Sequence, residues 1–159
     1  MGIEIERKFL LKTNLWKKIS HRSSKMSQGY LVQGAERSVR VRVDDSGKAF
    51  INIKSSTNGI SRLEYEYQIP LSDADEILSQ VALKPIIEKT RYYVDIDNHT
   101  WEIDVFTGAN QGLVVAEIEL SSEDESFTKP DWVGEEVSGD TRYYNQNLID
   151  HPFCDWGDN

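Results

Sequence analysis

Rows of like charge recur at alternate positions along this 159-residue chain. Arg40 and Arg42 flank Val41, Lys54 lies on the charged side of the next alternating run, and Lys89 and Arg91 repeat the pattern. Carboxylates are arranged in the same way: Glu4 and Glu6 just ahead of Lys8, then Glu102 with Asp104, then Glu117 with Glu119. Side chains two apart on a strand share a face, so each row presents one sign on one face. Like charges side by side cost energy unless an opposite charge fills the space before them. Cations converging from several strands suit a polyanion. Converging carboxylates suit a hard divalent cation such as Mg²⁺ or Mn²⁺. A metal-bound polyphosphate is the species that needs both.

The elements that would carry these rows read as strands. Period-two alternation marks residues 3–9, 38–43, 50–54, 62–67, 101–105 and 116–120. Residues 86–96 are rich in β-branched and aromatic side chains, and residues 26–33 form a weaker eighth candidate. Asp45-Ser46-Gly47, Asn58-Gly59 and Asp97-Asn98-His99 supply turns between them. Short helices are expected over 14–19 behind Asn14, over 72–80 from Ser72 with Ile77 and Leu78 turned inward, and near 143–149. No repeat or linker divides the chain, so one domain over 1–159 is expected.

On periodicity alone, a sandwich with its charged faces in water is the simpler reading. Two features favour a closed barrel instead. The signs are segregated by strand, and the opposite faces, Ile3, Ile5 and Phe9 or Val39, Val41 and Val43, are strongly apolar and need a cover. Helices packed outside a barrel would cover those faces and leave the ionisable ones in the lumen. Such a lumen is unstable unless its charges pair or a charged ligand enters.

Composition narrows the chemistry. The net charge of −9 argues against a nucleic-acid partner. Residues 121–159 carry ten acids against two bases, whereas residues 1–120 carry seventeen against sixteen. The tail therefore reads as a solvated acidic surface or as a lid over something basic. No apolar run is long enough for a membrane helix. A single cysteine, Cys154, excludes a thiolate metal cluster, favours a reducing compartment such as the cytoplasm, and reads as a small buried side chain. His21, His99 and His151 are scattered, and neither a glycine-rich phosphate loop nor a serine-hydrolase elbow is present.

Glu4-Ile5-Glu6-Arg7-Lys8 is an E-x-E-x-K signature. It is followed by Gln28-Gly29-Tyr30-Leu31, Val39-Arg40-Val41-Arg42, Ile53-Lys54, Ser61-Arg62-Leu63-Glu64-Tyr65-Glu66, Glu88-Lys89-Thr90-Arg91-Tyr92, Ala116-Glu117-Ile118-Glu119 and Asp140-Thr141-Arg142-Tyr143-Tyr144-Asn145. Together these motifs resemble the CYTH superfamily, the triphosphate tunnel metalloenzymes, and most of all its short bacterial tripolyphosphatase-like members. The resemblance implies a mainly β fold: an eight-stranded antiparallel tunnel with a charged lumen and a few helices packed outside. It implies Mg²⁺- or Mn²⁺-dependent hydrolysis of a small triphosphate by a monomer or homodimer. Lys8, Arg40, Arg42, Lys54, Lys89 and Arg91 match the family's phosphate-binding cations. Glu4, Glu6, Glu117 and Glu119 match its metal-binding and water-orienting carboxylates, with Asp104 a further metal ligand. Glu4, Glu6, Lys8 and Tyr30 are the expected catalytic group, Tyr30 restraining a neighbouring lysine. Glu64 and Arg62 are expected to support the lumen. Arg142 could stand in for the lysine that several relatives have where this chain has Thr141. The family also contains thiamine triphosphatases and class IV adenylate cyclases that make cyclic AMP, and a polyphosphate- or nucleotide-binding module without turnover is the non-enzymatic alternative for this chain.

Overall fold

The computed structural model describes residues 2–157. Eight antiparallel strands close into a barrel. They are β1 (Ile3–Leu11), β2 (Arg22–Val32), β3 (Arg37–Asp44), β4 (Ala49–Ser55), β5 (Ser61–Ile69), β6 (Ile87–Ile96), β7 (His99–Phe106) and β8 (Val114–Glu119). Their order around the wall is β5-β4-β3-β2-β6-β7-β8-β1, and β1 pairs back onto β5. The closure rules out the sandwich. The eight strand candidates all form, and the weak one, β2, is the longest at eleven residues.

A ninth strand, β9 (Val133–Glu136), has no counterpart in the sequence reading. It exists because β1 changes neighbour along one edge. Ile3 and Ile5 face Leu63 and Ser61 of β5, whereas Phe9 and Leu11 face Glu136 and Val133 of β9. β5 and the C-terminal half of β1 therefore diverge, and the chain after β9 fills the opening. Val137 N–H donates to the Lys8 carbonyl at 2.8 Å, and Lys8 N–H donates to Ser138 Oγ at 2.9 Å.

Alternation puts most of the apolar faces outside, where two clusters cover them in part. Phe9, Trp101, Trp132 and Phe127 pack edge-to-face on the β1-β7-β8 side, and the 3₁₀ helix Leu15–Ile19 presses Trp16 onto Tyr92. The helix α1 (Leu71–Glu76) seats Ala74 against Val41 and Ala49. A third cluster lies on the inward parity of the strands, where Tyr143, Leu148 and Ile149 join Tyr30, Ile87, Phe106 and Val115 and close one end of the barrel beneath the charged residues. Outward side chains of β1, β4 and β5 stay bare, with Ile3, Ile53, Leu63, Tyr65 and Tyr67 40–59% exposed.

The helix expectations hold in place and fail in kind. Asn14 precedes a 3₁₀ turn and makes no side-chain cap. α1 begins at Leu71 behind Pro70, one residue before Ser72, because proline's fixed φ suits a helix start. It runs on into a π-type turn, Ile77–Val81. The region near 143–149 forms two 3₁₀ turns, Thr141–Tyr143 and Asn145–Leu148. The acidic tail is also not simply a solvated run. Its carboxylates are mostly exposed, but Trp132, Val133, Val137, Tyr143, Leu148 and Ile149 are buried, so this part of it is wall and core. Cys154 is exposed, not buried.

Candidate active site

The inward faces of the eight strands enclose a cavity of about 580 Å³. β1 contributes Glu4, Glu6 and Lys8; β3, Arg40 and Arg42; β4, Lys54; and β5, Arg62 and Glu64. Tyr30 of β2, Arg91 of β6, and Glu117 and Glu119 of β8 complete the predicted set on its surface. Each keeps the parity of its strand's alternation, so the residues that looked like charged faces in water are the lining of one space.

Many of the rows meet the opposite sign on the neighbouring strand. Glu4 lies opposite Arg62, Lys54 opposite Glu64, Lys8 opposite Glu117 and Arg91 opposite Asp104. Arg62 Nε donates to Glu4 at 2.8 Å, and Lys54 Nζ reaches Glu4 at 3.3 Å and Glu64 at 3.0 Å. Burial works to raise the Glu4 pKa, but Lys54 and Arg62 outweigh it and hold this carboxyl below its ordinary value. Lys8 Nζ lies 3.6 Å from Glu117 and donates to the Tyr143 carbonyl at 3.0 Å, so the C-terminal segment helps to aim it. Burial also opposes ionisation of Glu117, yet Lys8 and the neighbouring cations bring it down to about 2.

Pairing leaves a surplus of each sign. Burial raises Glu6 well above its ordinary value, and the charges of Glu117 and Glu4 add to the effect. Glu6 is also directly across from Glu119, which burial, Glu4 and Glu102 push upward. On the other side, Arg40 is 8% exposed and has no ion-pair partner among the described residues. Its hydrogen bonds are to Asn52 Oδ1 at 3.4 Å and to Tyr30. Burial lowers the Arg42 pKa, and repulsion from Arg40 and Arg91 lowers it further; its Nε is buried without a hydrogen bond.

Several expected residues lie elsewhere or act differently. Asp104 is fully buried and absent from the cavity surface. Lys89 donates to one of its oxygens at 2.8 Å, and Arg91 grips both at 2.8 and 2.9 Å. Both oxygens take hydrogen bonds from these cations, so here Asp104, away from the cavity surface, anchors Lys89 and Arg91. Lys89 sits beneath the cavity lining with Asp104, and burial brings it down to about 8. Arg142 turns outward, forks onto Asp140 and lies over Tyr143 and Trp156, so no tail cation enters the lumen through it. Tyr30 restrains an arginine, Arg40, in place of the expected lysine. Sequence reasoning missed Asn52, whose amide joins Arg40 to Glu66, donating to the latter at 2.6 Å. Its inward parity between Phe50 and Lys54 was the available signal.

Carboxylate oxygens available to a metal ion on the cavity surface include those of Glu4, Glu6, Glu117 and Glu119. Among the described residues no three metal-ligating side chains form a cage. Mg²⁺ needs none, since it takes one or two carboxylates and completes its shell with water and substrate oxygens. The mutual repulsion of Glu6, Glu117 and Glu4 is what a divalent cation would relieve, so the residues fit one. No helix among the described residues is long and apolar enough to cross a membrane.

A barrel with apolar faces turned outward and rows of cations and carboxylates lining one cavity within defines a tunnel-type site for a polyanion. The CYTH domain model matches residues 2–148, and the chain belongs to that family. It is 48% identical over 153 residues to an inorganic triphosphatase of Acetivibrio thermocellus, covering 96% of this chain and 97% of that protein. It is 37% identical over 148 residues to an inorganic triphosphatase of Nitrosomonas europaea, covering 91% and 95%. The crystal structure of an inorganic triphosphatase superposes with a TM-score of 0.65 at 33% identity, over 94% of this chain and 95% of that one. A Pyrococcus horikoshii protein at 20% identity, with a TM-score of 0.61 over 76% and 81%, shares the fold. CYTH tunnel enzymes are metal-dependent.

Proposed function

We propose that this protein hydrolyses inorganic triphosphate to pyrophosphate and phosphate inside the barrel, using Mg²⁺ or Mn²⁺. The observation that carries the reading is the convergence of Arg40, Arg42 and Arg91 on one cavity: Arg40 is buried with no ion-pair partner among the described residues, and Arg40 and Arg91 both repel Arg42. Arg42 has Glu66, and Arg91 has Asp104 and Glu102, so an anion with several charges adds the counter-ion that Arg40 lacks and eases the repulsion among the three. The two inorganic triphosphatases that align along nearly the whole chain support the same substrate.

Arg40, Arg42 and Arg91 grip phosphate oxygens through planar forks, while Lys8 and Lys54 act as point charges. Lys89 and Asp104 position Arg91 from below, and Tyr30 and Asn52 hold Arg40. Glu4, tied to Arg62 and Lys54, is fixed in place. Glu6, pushed toward its protonated form by burial and further by Glu117 and Glu4, would orient a water and accept its proton once a bound cation offsets those charges. That water attacks a terminal phosphorus, the bridging P–O bond breaks, and its electron pair leaves with pyrophosphate against the cations. A bound divalent ion would neutralise phosphate oxygens and lower the pKa of the attacking water.

Phosphate release from tripolyphosphate, ATP and thiamine triphosphate, each with Mg²⁺, with Mn²⁺ and with chelator, tests the proposal. Tripolyphosphate is expected to be the preferred substrate and the chelator to abolish release. No phosphate from any substrate with either metal would contradict it, and cyclic AMP from ATP would favour the cyclase reading.

A further inference from the structure

Four aromatic rings line the cavity: Tyr30, Phe50, Tyr93 and Tyr144. Each is matched with a cation. The Lys8 ammonium lies 5.7 Å from the Tyr144 centroid, the Arg42 guanidinium 5.3 Å from Phe50, and the Arg22 guanidinium 3.9 Å from Tyr93, while Tyr30 bonds Arg40. The Arg22–Tyr93 pair is the tightest. It is fixed by the fold, because Arg22 of β2 sits directly opposite Tyr93 of β6 in the ladder. One pleat further in, Ser24 faces Arg91, about 7 Å along the strand. Tyr93 is therefore the ring that a group attached to a phosphate chain on Arg91 would meet on its way out of the cavity.

We propose that Arg22 is a specificity-determining residue: its guanidinium occupies a face of Tyr93 and so denies that stacking surface to a nucleobase. The proposal rests on the triphosphate reading of the lumen. A nucleoside triphosphate gains over the inorganic ion mainly through its base, and bases bind proteins by stacking on open aromatic faces. Where a guanidinium already holds the face, the base has to displace a cation–π contact and gains little. A triphosphate with no base loses nothing. The same residues thus favour inorganic triphosphate without any steric gate.

The test compares wild type, Arg22→Ala and the double variant Arg22→Ala/Tyr93→Leu. Dissociation constants for ATP and for tripolyphosphate are measured by calorimetry in chelator, where no turnover is expected, and kcat/KM for each is measured with Mg²⁺. Arg22→Ala is expected to tighten ATP relative to tripolyphosphate by about tenfold, the size of one base–aromatic stack. The double variant should return the ratio to the wild-type value, because no ring remains. A ratio within twofold of wild type in Arg22→Ala, or an equal change in the double variant, would overturn the proposal, since mere loss of charge at the mouth would survive removal of the ring. Failure of the wild type to hydrolyse any triphosphate would count against the hydrolase reading alone, as the affinity ratios are read without turnover.

Discussion

Replacing Arg40 with alanine should lower kcat/KM for tripolyphosphate by about 10²- to 10³-fold, the usual cost of removing one preorganised donor to a developing negative charge. The barrel should meanwhile stay folded. Most lumen charges cannot be removed so cleanly, because each leaves a partner behind. Arg40 has no ion pair among the described residues to orphan, and Asn52 keeps its bond to Glu66 when Arg40 is gone. Its removal also relieves repulsion on Arg42 and Arg91 and gives up a favourable contact with Tyr30 and the attraction of Glu4. These effects oppose one another, so the melting temperature is expected to change by only a few degrees while activity collapses. Activity within fivefold of wild type would show that this guanidinium does not bind the reacting phosphate.

Asp104→Ala should have the opposite profile, with a large loss of stability. Its carboxylate is fully buried and takes hydrogen bonds from Lys89 and Arg91, so its removal leaves two buried cations without their common counter-ion. Breaking a buried ion pair costs about 3–5 kcal/mol. At about 2–4 °C per kcal/mol for a domain of this size, the melting temperature falls by about 6–20 °C. Asp104→Asn, which keeps the shape and one acceptor, should lose less. The same carboxylate gives a sign for acid. The cations depress its folded pKa below its ordinary 3.8, and Glu117 is depressed from 4.5 to about 2. Such groups stabilise the fold fully above their unfolded pKa values and lose that contribution as pH falls through the folded ones. Wild-type melting temperature is thus expected to decline from about pH 4.5 downward, and Asp104→Ala to show a shallower decline over the same range. A drop of less than 3 °C at neutral pH would mean that Asp104 is not holding the two cations.

The parity of the strands was legible in the sequence because alternation is local: Val39-Arg40-Val41-Arg42 states which side chains share a face without reference to anything distant. Closure into a barrel could be argued from what the apolar faces needed. What alternation cannot state is register. In sequence, Asp104 looks like Glu117 and Lys89 looks like Arg40, but pairing places the first of each couple beneath the cavity lining and the second on it. The shear of the barrel, fixed by turn lengths and by the handover of β1 from β5 to β9, decides that difference. The four-residue β9 is too short to carry a period, and it pairs only because β1 leaves an edge open. The C-terminal segment reads as acidic because its ten carboxylates outnumber its two bases. Its contribution to the fold lies in a few well-spaced side chains, Val137, Tyr143 and Leu148, whose partners are on distant strands. Arg142 was open to a lumen role because the sequence does not show that Asp140, two residues away, captures it.

The central claim is that the triphosphate binds on the inner wall. A crystal structure of the protein soaked with tripolyphosphate in chelator tests it most directly. Three phosphorus peaks are expected inside the barrel, with oxygens within hydrogen-bond distance of Arg40 and Arg42 and the chain directed toward Arg91. An empty lumen in crystals that bind tripolyphosphate elsewhere on the surface would contradict it.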